Sequence, residues 1–570
     1  MTFPLQPKTV SQRSLWTIFF LSGLSGFILG AWAYPTWQHA VEGAQVLSGS
    51  VHYPAPSPFY MYEVNLWTLL HQILAFFLWL GTPESVLCVT VSGILGMISF
   101  QALALSTYTI SADPLLALLA PFWVLFTRVT DFGVVYTIFL LGTPATYGVF
   151  GLAYIILLVA LISLGQRRTG FFLLGLSPAI HPSLGIFALT VVFLTDMSAS
   201  KGSFKIKWTA LSAGLAVATA SFLLRVLMVK QLPPIDPAEA AKYLSSFVKN
   251  WCGHRRPVPL YAPGFWIQTG LTMTTFFLLR FFRDRFSSPA LILLRISWIA
   301  GALSIPLAFI SWIPASSVPP AVLALMPARF LDFNIFLFPA ILLGLMAKER
   351  DNIWIQVLLI LLIFVTSKLA RFAGLYPWWV AGSLLCLASL YFIALRMTSK
   401  KDATLPRQSK LLHLLSKGML VLVLAKTVLM SVPLSKESWT VFHDPRNGSF
   451  WNALSKEPGM LLTSPGVSLV QLRTRRPVLL DIASIDGLPY ALQSGPLMNT
   501  ILKEIYDGDL FSSGGSIVPD SSQPNWESKS PEAWKKLGQK FGFSQILTTS
   551  EWHLKLSINT QNDDYTLYQI

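Results

Sequence analysis

Long apolar runs, each closed by a short polar stretch, recur from residue 15 to residue 433 and then stop. They lie near 15–34, 66–81, 86–106, 114–127, 132–143, 145–165, 170–180, 182–196, 207–229, 263–282, 288–313, 330–347, 353–372, 378–396 and 414–433. A helix crossing the hydrocarbon core needs about 20 such residues. The pattern therefore predicts a mainly α, polytopic membrane protein with about 13–15 membrane segments. The pieces at 114–127, 132–143 and on either side of "SPAIHPSLG" are too short to span alone and are expected to be tilted, broken or re-entrant. Irregular backbone at membrane depth is stable only where protein buries it or where it lines a watery cavity, so these breaks point towards a cavity.

The first run has the length of a spanning helix and no small-residue cleavage site follows it, which predicts an anchor rather than a cleaved signal. After Leu434 the long runs end, and charges, Asn, Ser and Gly rise. Strand-like runs, "GMLLTS", "VSLVQLR", "RPVLLDI", "SQILTTS" and "YTLYQI", alternate there with helix-like stretches such as "ALQSGPLMNTILKEIYD" and "SPEAWKKLGQKFG". This predicts a membrane domain over 1–433 and a soluble α/β domain over 434–570. The α/β domain has no Gly-rich phosphate loop, metal cluster or nucleophile motif, and reads as a structural or acceptor-facing module.

Composition agrees with a membrane class: 53% hydrophobic and 12% charged residues over 570, with mean hydropathy +0.57. Cys88, Cys252 and Cys386 are far apart and show neither metal spacing nor a disulfide framework. The net charge of +15 is unevenly spread. Basic residues cluster at Lys8/Arg13, Arg128, Arg167/Arg168, Lys201/Lys205/Lys207, Arg280/Arg283/Arg285, Lys348/Arg350 and Arg396 to Lys410. Threading the runs puts all of these on the side of the N-terminus, provided that the stretch through "SPAIHPSLG" goes in and comes back. By the positive-inside rule that side is cytoplasmic. The extracytoplasmic side then holds 34–65, 107–113, 229–262, 314–329 and everything after about residue 434. The loop 34–65 has no Lys or Arg, but 229–262 carries Lys230, Lys242, Lys249, Arg255 and Arg256. A basic loop on the outer face needs a reason, and an anionic ligand is one.

The candidate chemistry sits in these outer segments. Glu42, in "HAVEGAQVLSG", falls on a short amphipathic helix expected to lie on the membrane surface. Glu63, in "FYMYEVNLW", follows a stiff, Pro-rich link, "HYPAPSPFY". Either glutamate reads equally as a solvated loop charge. Asp113 precedes Pro114 and reads first as a helix N-cap. His181, between Pro178 and Pro182, is either a hydrogen-bonded structural residue or a substrate contact. Arg329, in "LALMPARFLDF", opens a membrane helix on the outer side, where it either snorkels or clamps a phosphate.

The acidic first outer loop with its short surface helix, the broken middle segments with an "HPSLG" turn, the late "PARF" arginine and the C-terminal α/β domain together resemble the GT-C superfamily of polyprenyl-phosphate-dependent glycosyltransferases. The resemblance covers most of residues 1–433 as architecture, and the isolated Glu42 with Glu63 stands where members carry a close acidic pair. It implies an inverting enzyme of the plasma or inner membrane that moves a sugar from a lipid-linked donor to a glycan, lipid or protein acceptor, with no nucleic-acid partner. Glu42 would be the base, assisted by Glu63. Arg329, Arg255 and Arg256 would hold the phosphate, and His181 and Asp113 would shape the cavity. Two carboxylates can hold a divalent cation, but the ligand set is too sparse to predict one. The competing readings are an O-antigen-type polymerase or ligase, a lipid or glycan transporter, and a membrane scaffold. Paired repeats that mark many transporters are not evident, and Arg225, Arg295 and Lys426 lie close to segment ends.

Overall fold

The computed structural model describes residues 11–65, 68–128, 130, 133–144, 146–198, 204–228, 234–348, 425, 429, 432–512 and 519–570. The apolar runs at 353–372 and 378–396, nearly all of 414–433, the basic cluster 396–410, Lys8, Lys201, Lys230, Arg350, Cys386 and Lys426 lie outside the described residues.

The first part of the chain is helical: α1 (Gln12–Ile28), α2 (His39–Leu47), α3 (Pro58–Asn65), α4 (Leu69–Trp79), α5 (Glu84–Ser111), α6 (Pro114–Thr127), α7 (Thr146–Ser163), α8 (Arg167–Ile180) and α9 (Pro182–Ser198). It continues with α10 (Trp208–Met228), α11 (Pro237–Asn250), α12 (Pro263–Phe281), α13 (Ser288–Ala308), α14 (Pro320–Leu325) and α15 (Asp332–Lys348). Among the described residues, five helical stretches are long and apolar enough to cross a membrane: Gln12–Ala33, Glu84–Ser111, Trp208–Leu227, Ser288–Trp312 and Pro320–Lys348. Four shorter apolar helices accompany them. Phe20, Leu24, Phe193, Leu223, Leu227 and Phe281 are exposed on the outside of this bundle. So much outward apolar surface suits lipid rather than water.

Helix α5 forms the centre, packed by α1, α6, α7 and α15. It crosses α1 where Gly26 faces Gly96, each lying so close that a side chain on either would strike the other's carbonyl. A buried polar network ties α12, α13 and α15: Asn334 Nδ2 donates to the Ser297 carbonyl at 2.9 Å and to Gln268 Oε1 at 3.2 Å. Residues 133–143 of the apolar segment expected at 132–143 form bends and irregular backbone instead of a helix. Val134 N donates to Asp332 Oδ1 at 2.7 Å, so protein supplies the partner that lipid cannot.

The bundle has two distinct ends. At one, Ser11 N donates to Tyr108 Oη, Gln166 pairs with Gln12, Arg167 lies over Phe204, Ile110 abuts Gly344 and Lys348 lies over Phe286. At the other, the Glu84 carboxylate takes a two-pronged bond from Arg475, at 2.6 and 3.1 Å, and Gln45 Nε2 at 3.0 Å. The loop 34–65 and the C-terminal residues therefore share the second end.

This overturns the expected position of 107–113. Because α4 covers only Leu69–Trp79, the chain returns to the end it left, and α5 then crosses. Residues 107–113 sit beside residue 11, opposite the loop 34–65, and Arg128 faces Tyr34 at the other end rather than joining the N-terminal basic clusters.

The C-terminal residues form a four-stranded sheet in the order β1-β2-β4-β3, with β1 (Met460–Thr463), β2 (Phe543–Thr549), β3 (Ser557–Gln561) and β4 (Tyr565–Gln569). β1 and β2 are parallel, and the other pairs are antiparallel. Three of the five expected strand-like runs supply β1, β2 and β4, and "RPVLLDI" contributes an isolated parallel bridge from Val478 to Leu461. "VSLVQLR" becomes the helix Val470–Thr474, set between left-handed residues Leu469 and Arg475. The core of this unit takes in Tyr243, Leu244 and Phe247 of α11, together with Val318 and Leu323. Phe442 and Leu472 join Ala40, Val41 and Ala44 of α2 in a second cluster.

Candidate functional site

Helix α2 does not lie on an open surface: residues 40–45 are all buried, covered by the helix Val470–Thr474. Its entry is fixed by Gln38, whose Nε2 donates to Ser92 Oγ at 3.0 Å and to the Thr143 carbonyl at 3.1 Å. Gly49, with φ of 75°, turns the chain beyond its end. Residues three apart share a helix face, and here His39 Nδ1 meets Glu42 Oε2 at 2.7 Å. The other oxygen, Oε1, is buried with no partner. Gln471 Nε2 donates to the Glu42 carbonyl at 3.1 Å, and Tyr53 Oη donates to Gln471 Oε1 at 2.5 Å.

Glu63 arrives on α3, which begins at Pro58 after the extended link. Its Oε2 is also buried without a partner, and lies against the bare backbone of Gly43: a Cβ there would stand 2.5 Å from Oε2 and 2.8 Å from His71 Cδ2. Glu42 and Glu63 are thus neighbours. Burial first, then the charges of Glu42 and Asp481, push the Glu63 carboxyl well above its ordinary value of 4.5. For His39, burial opposes the charged ring. The bond to Glu42 and the charges of Glu42 and Asp481 outweigh it, so its pKa rises. His71 accepts from Thr68 N at Nδ1, so its Nε2 carries the proton and donates to Tyr147 Oη.

A second group forms around Arg329, which lies in the buried turn Pro327–Leu331 ahead of α15. Its Nη1 donates to His181 Nε2 at 2.8 Å and its Nη2 to Met326 Sδ at 2.8 Å, and the guanidinium lies 5.6 Å from the Tyr136 ring. Arginine has only donors, so His181 accepts at Nε2, while its Nδ1 faces Ser183 Oγ at 3.3 Å and Leu184 N at 3.4 Å. His181 is the single residue between α8 and α9, and the close approach of Gly185 to Ser177 and Pro178 makes the bend sharp. Arg329 Nε and Tyr136 Oη are buried without partners.

Arg255 joins this group from the basic loop. Its Nε donates to the Leu323 carbonyl at 3.1 Å and its Nη1 to Cys252 Sγ at 3.2 Å, while Nη2 is buried without a partner. It lies over the Tyr490 ring at 5.4 Å, and Tyr490 Oη reaches Met326 Sδ at 3.8 Å. Met326 and Tyr490 therefore bridge the two arginines. Tyr62, next to Glu63 and packed against Gly487, stands in electrostatic reach of Glu42, Glu63 and Tyr490, and so between the acidic and the basic group.

Five of the seven expected site residues are thus drawn into two adjoining groups, and two are not. Asp113 caps α6, its Oδ1 accepting from Leu115 N and Leu116 N at 3.0 and 3.1 Å, at the bundle end opposite Glu42. Arg256 is exposed and reaches the Asn250 carbonyl at 3.5 Å. Part of the basic loop serves packing, since Lys242 lies 4.9 Å over the Phe511 ring. His39, His71, Gly43, Asp481 and Tyr490 are additions to the expected site. His39 was legible from its spacing to Glu42, whereas Asp481 carries no local signal. Among the described residues no group of three or more His, Cys, Asp or Glu is arranged to hold a metal ion. No protein-family model, curated protein or solved structure matches the chain.

Proposed function

We propose that this protein is a membrane glycosyltransferase, moving a sugar from a polyprenyl-phosphate donor to an extracytoplasmic acceptor, as its resemblance to the GT-C superfamily implies. The observation carrying this reading is that Glu42 and Glu63 meet beside His39, across Tyr62 and Tyr490 from Arg329 and Arg255. Glu42 takes the proton of the acceptor hydroxyl as that oxygen attacks the sugar's anomeric carbon and the bond to the phosphate oxygen breaks with inversion. Burial, then the charge of Glu42, raises the Glu63 carboxyl well above its ordinary value, which favours its neutral form beside Glu42. The uncommitted N–H groups of Arg329 and Arg255 receive the leaving phosphate. His181 positions Arg329 through its Nε2.

In this reading the protein is a multi-pass component of the plasma or inner membrane. The end holding residue 11 is cytoplasmic, and 34–65, 229–262 and 434–570 face the outside. The concentration of Arg167, Arg168, Lys205, Arg283, Arg285 and Lys348 at or near the residue-11 end supports that orientation.

The test is a transfer assay with a lipid-linked sugar donor. Glu42→Gln is expected to abolish turnover while leaving donor binding largely intact, and Arg329→Ala to weaken donor binding. Full turnover in Glu42→Gln ends this mechanism.

A further inference from the structure

Helices α12 and α13 run antiparallel, joined by the turn 282–287, and a ladder of contacts fixes their register. Gln268 Nε2 donates to Ser304 Oγ at 2.7 Å, the backbone of Gly301 lies against Thr272, and the rings of Phe276 and Trp298 meet at 5.9 Å. Each step moves four residues along α12 and three back along α13, as when the ridges of one helix fill the grooves of another. The next step sets position 280 opposite position 295, and both are arginines. Lys348 over the Phe286 ring places this turn at the bundle end that holds residue 11.

Arg295 stands apart from its own helix. The outward stripe of α13, from Leu291 through Trp298 and Ala302 to Pro306, is apolar except at Arg295. Arg295 lies in a stretch long and apolar enough to cross a membrane, seven residues past Ser288, or about 10 Å along the axis. A charge on a lipid-facing stripe is costly unless it reaches the headgroup layer or finds a partner. Among the described residues, the charge in electrostatic reach of Arg295 is another cation, Arg283, exposed in the turn. Arg280 lies over its neighbour Phe281 at 5.4 Å. Among the described residues, none of Arg280, Arg283, Asp284 and Arg295 takes part in an ion pair. Next to these cations, one or two turns further along the groove, Met273, Phe276 and Phe277 are exposed. Uncompensated positive charge at one level and apolar surface at the next is the complement of a phospholipid lying along the groove.

We infer that the α12–α13 groove holds an acidic phospholipid in the leaflet at the residue-11 end, its phosphate on Arg295 and Arg283 and an acyl chain along Phe276 and Trp298. A guanidinium matches two phosphate oxygens at once. A zwitterionic headgroup would bring its own ammonium group against Arg283 and Arg280, whereas a headgroup of net negative charge would not. The groove lies at the end opposite Glu42, so the claim does not rest on the glycosyltransferase reading.

Native mass spectrometry on the full chain, titrated in detergent with phosphatidylglycerol or phosphatidylcholine, tests it. The parent is expected to prefer one phosphatidylglycerol by roughly 25-fold, about fivefold for each of Arg295 and Arg283. Arg295→Gln and Arg283→Gln should each lower that preference about fivefold, and the double variant should abolish it. Arg225→Gln, in the last turn of α10 at the other end of the bundle, should keep the parental preference. Unfolding midpoints in phosphatidylcholine confirm that the variants fold. Equal retention of the two lipids by the parent, or an undiminished preference in the double variant, overturns the proposal. Displacement of phosphatidylglycerol by an equal concentration of inorganic phosphate would assign the arginines to a soluble anion and likewise overturns it.

Discussion

Gly43 is the narrowest point of the acidic group, and adding one methyl there perturbs Glu63 without touching its chemistry. In Gly43→Ala the new Cβ would stand 2.5 Å from Glu63 Oε2 and 3.1 Å from His71 Nε2. To reach an ordinary carbon–oxygen separation of about 3.3 Å, the carboxyl must retreat by roughly 0.8 Å. His71 cannot make the room, because both of its ring nitrogens are held, by Thr68 and Tyr147. Overpacking of this kind costs about 1–3 kcal/mol, and Ala in place of Gly inside a helix returns about 0.5–1 kcal/mol. The net loss of stability is therefore about 0–2.5 kcal/mol. On the glycosyltransferase reading activity should suffer far more, since a displacement near 1 Å beside the reacting groups costs on the order of 100-fold in rate. Unfolding midpoints and transfer rates of Gly43→Ala, Glu63→Asp and the double variant read both effects. The shorter aspartate frees the space that the methyl takes, so the double variant should be less impaired than the sum of the single changes. Strict additivity, or parental stability and activity in Gly43→Ala, would refute the packing of Glu63 against α2.

Two further predictions address charge and topology. Glu63→Gln should stabilise the protein increasingly as pH rises. A carboxyl whose folded pKa is raised loses stability between its unfolded value, 4.5, and its folded value, so midpoints should converge near pH 4 and separate above about pH 5. A gap that stays constant with pH would mean that Glu63 is not raised. In a cysteine-free background, membrane-impermeant maleimide should label His52→Cys and Lys535→Cys from one side of the membrane and Asp113→Cys from the other. Labelling of all three from one side would contradict the crossing of α5.

Much of the local structure was legible because its causes are local. "SADP" announces an Asp cap with Pro at the first helical position, and Asp113 forms it. "SPEAW" announces the helix Pro531–Phe541, where Ser530 Oγ accepts from Ala533 N. The crossing number was not legible. Residues 66–81 have the composition of a span, yet the helix there covers only Leu69–Trp79 and the next begins at Glu84, beside Gln45 and Arg475, contacts that no local pattern announces. β3, "SINTQ", escaped notice because it is an edge strand with most side chains exposed, and so has no alternation to read. The helix Val470–Thr474 was masked by β-branched and alternating residues. It is helical because Gln471 must reach both Tyr53 and the backbone of Glu42, a tertiary demand that overrides propensity.

That same covering segment explains how a chain of net charge +15 keeps two buried carboxylates free of a permanent cation. With the two residues that follow it, this segment carries three arginines, Arg473, Arg475 and Arg476, and each is committed elsewhere. Arg473 bonds Asp444 at 2.7 Å and lies between the Trp37 and Trp451 rings, at 5.6 and 5.3 Å. Arg475 holds Glu84, and Arg476 is spent on Gln545 Oε1 at 2.7 Å and on the Pro458 and Gly459 carbonyls. Among the described residues, His39 is the basic side chain left to Glu42. An arginine there would hold a permanent positive charge against the carboxylate, because a guanidinium never gives up its proton in this range. An imidazole is the one partner that exchanges its proton around neutral pH. On the glycosyltransferase reading, the diversion of the three arginines leaves Glu42 and His39 as the pair that takes the proton of the acceptor hydroxyl.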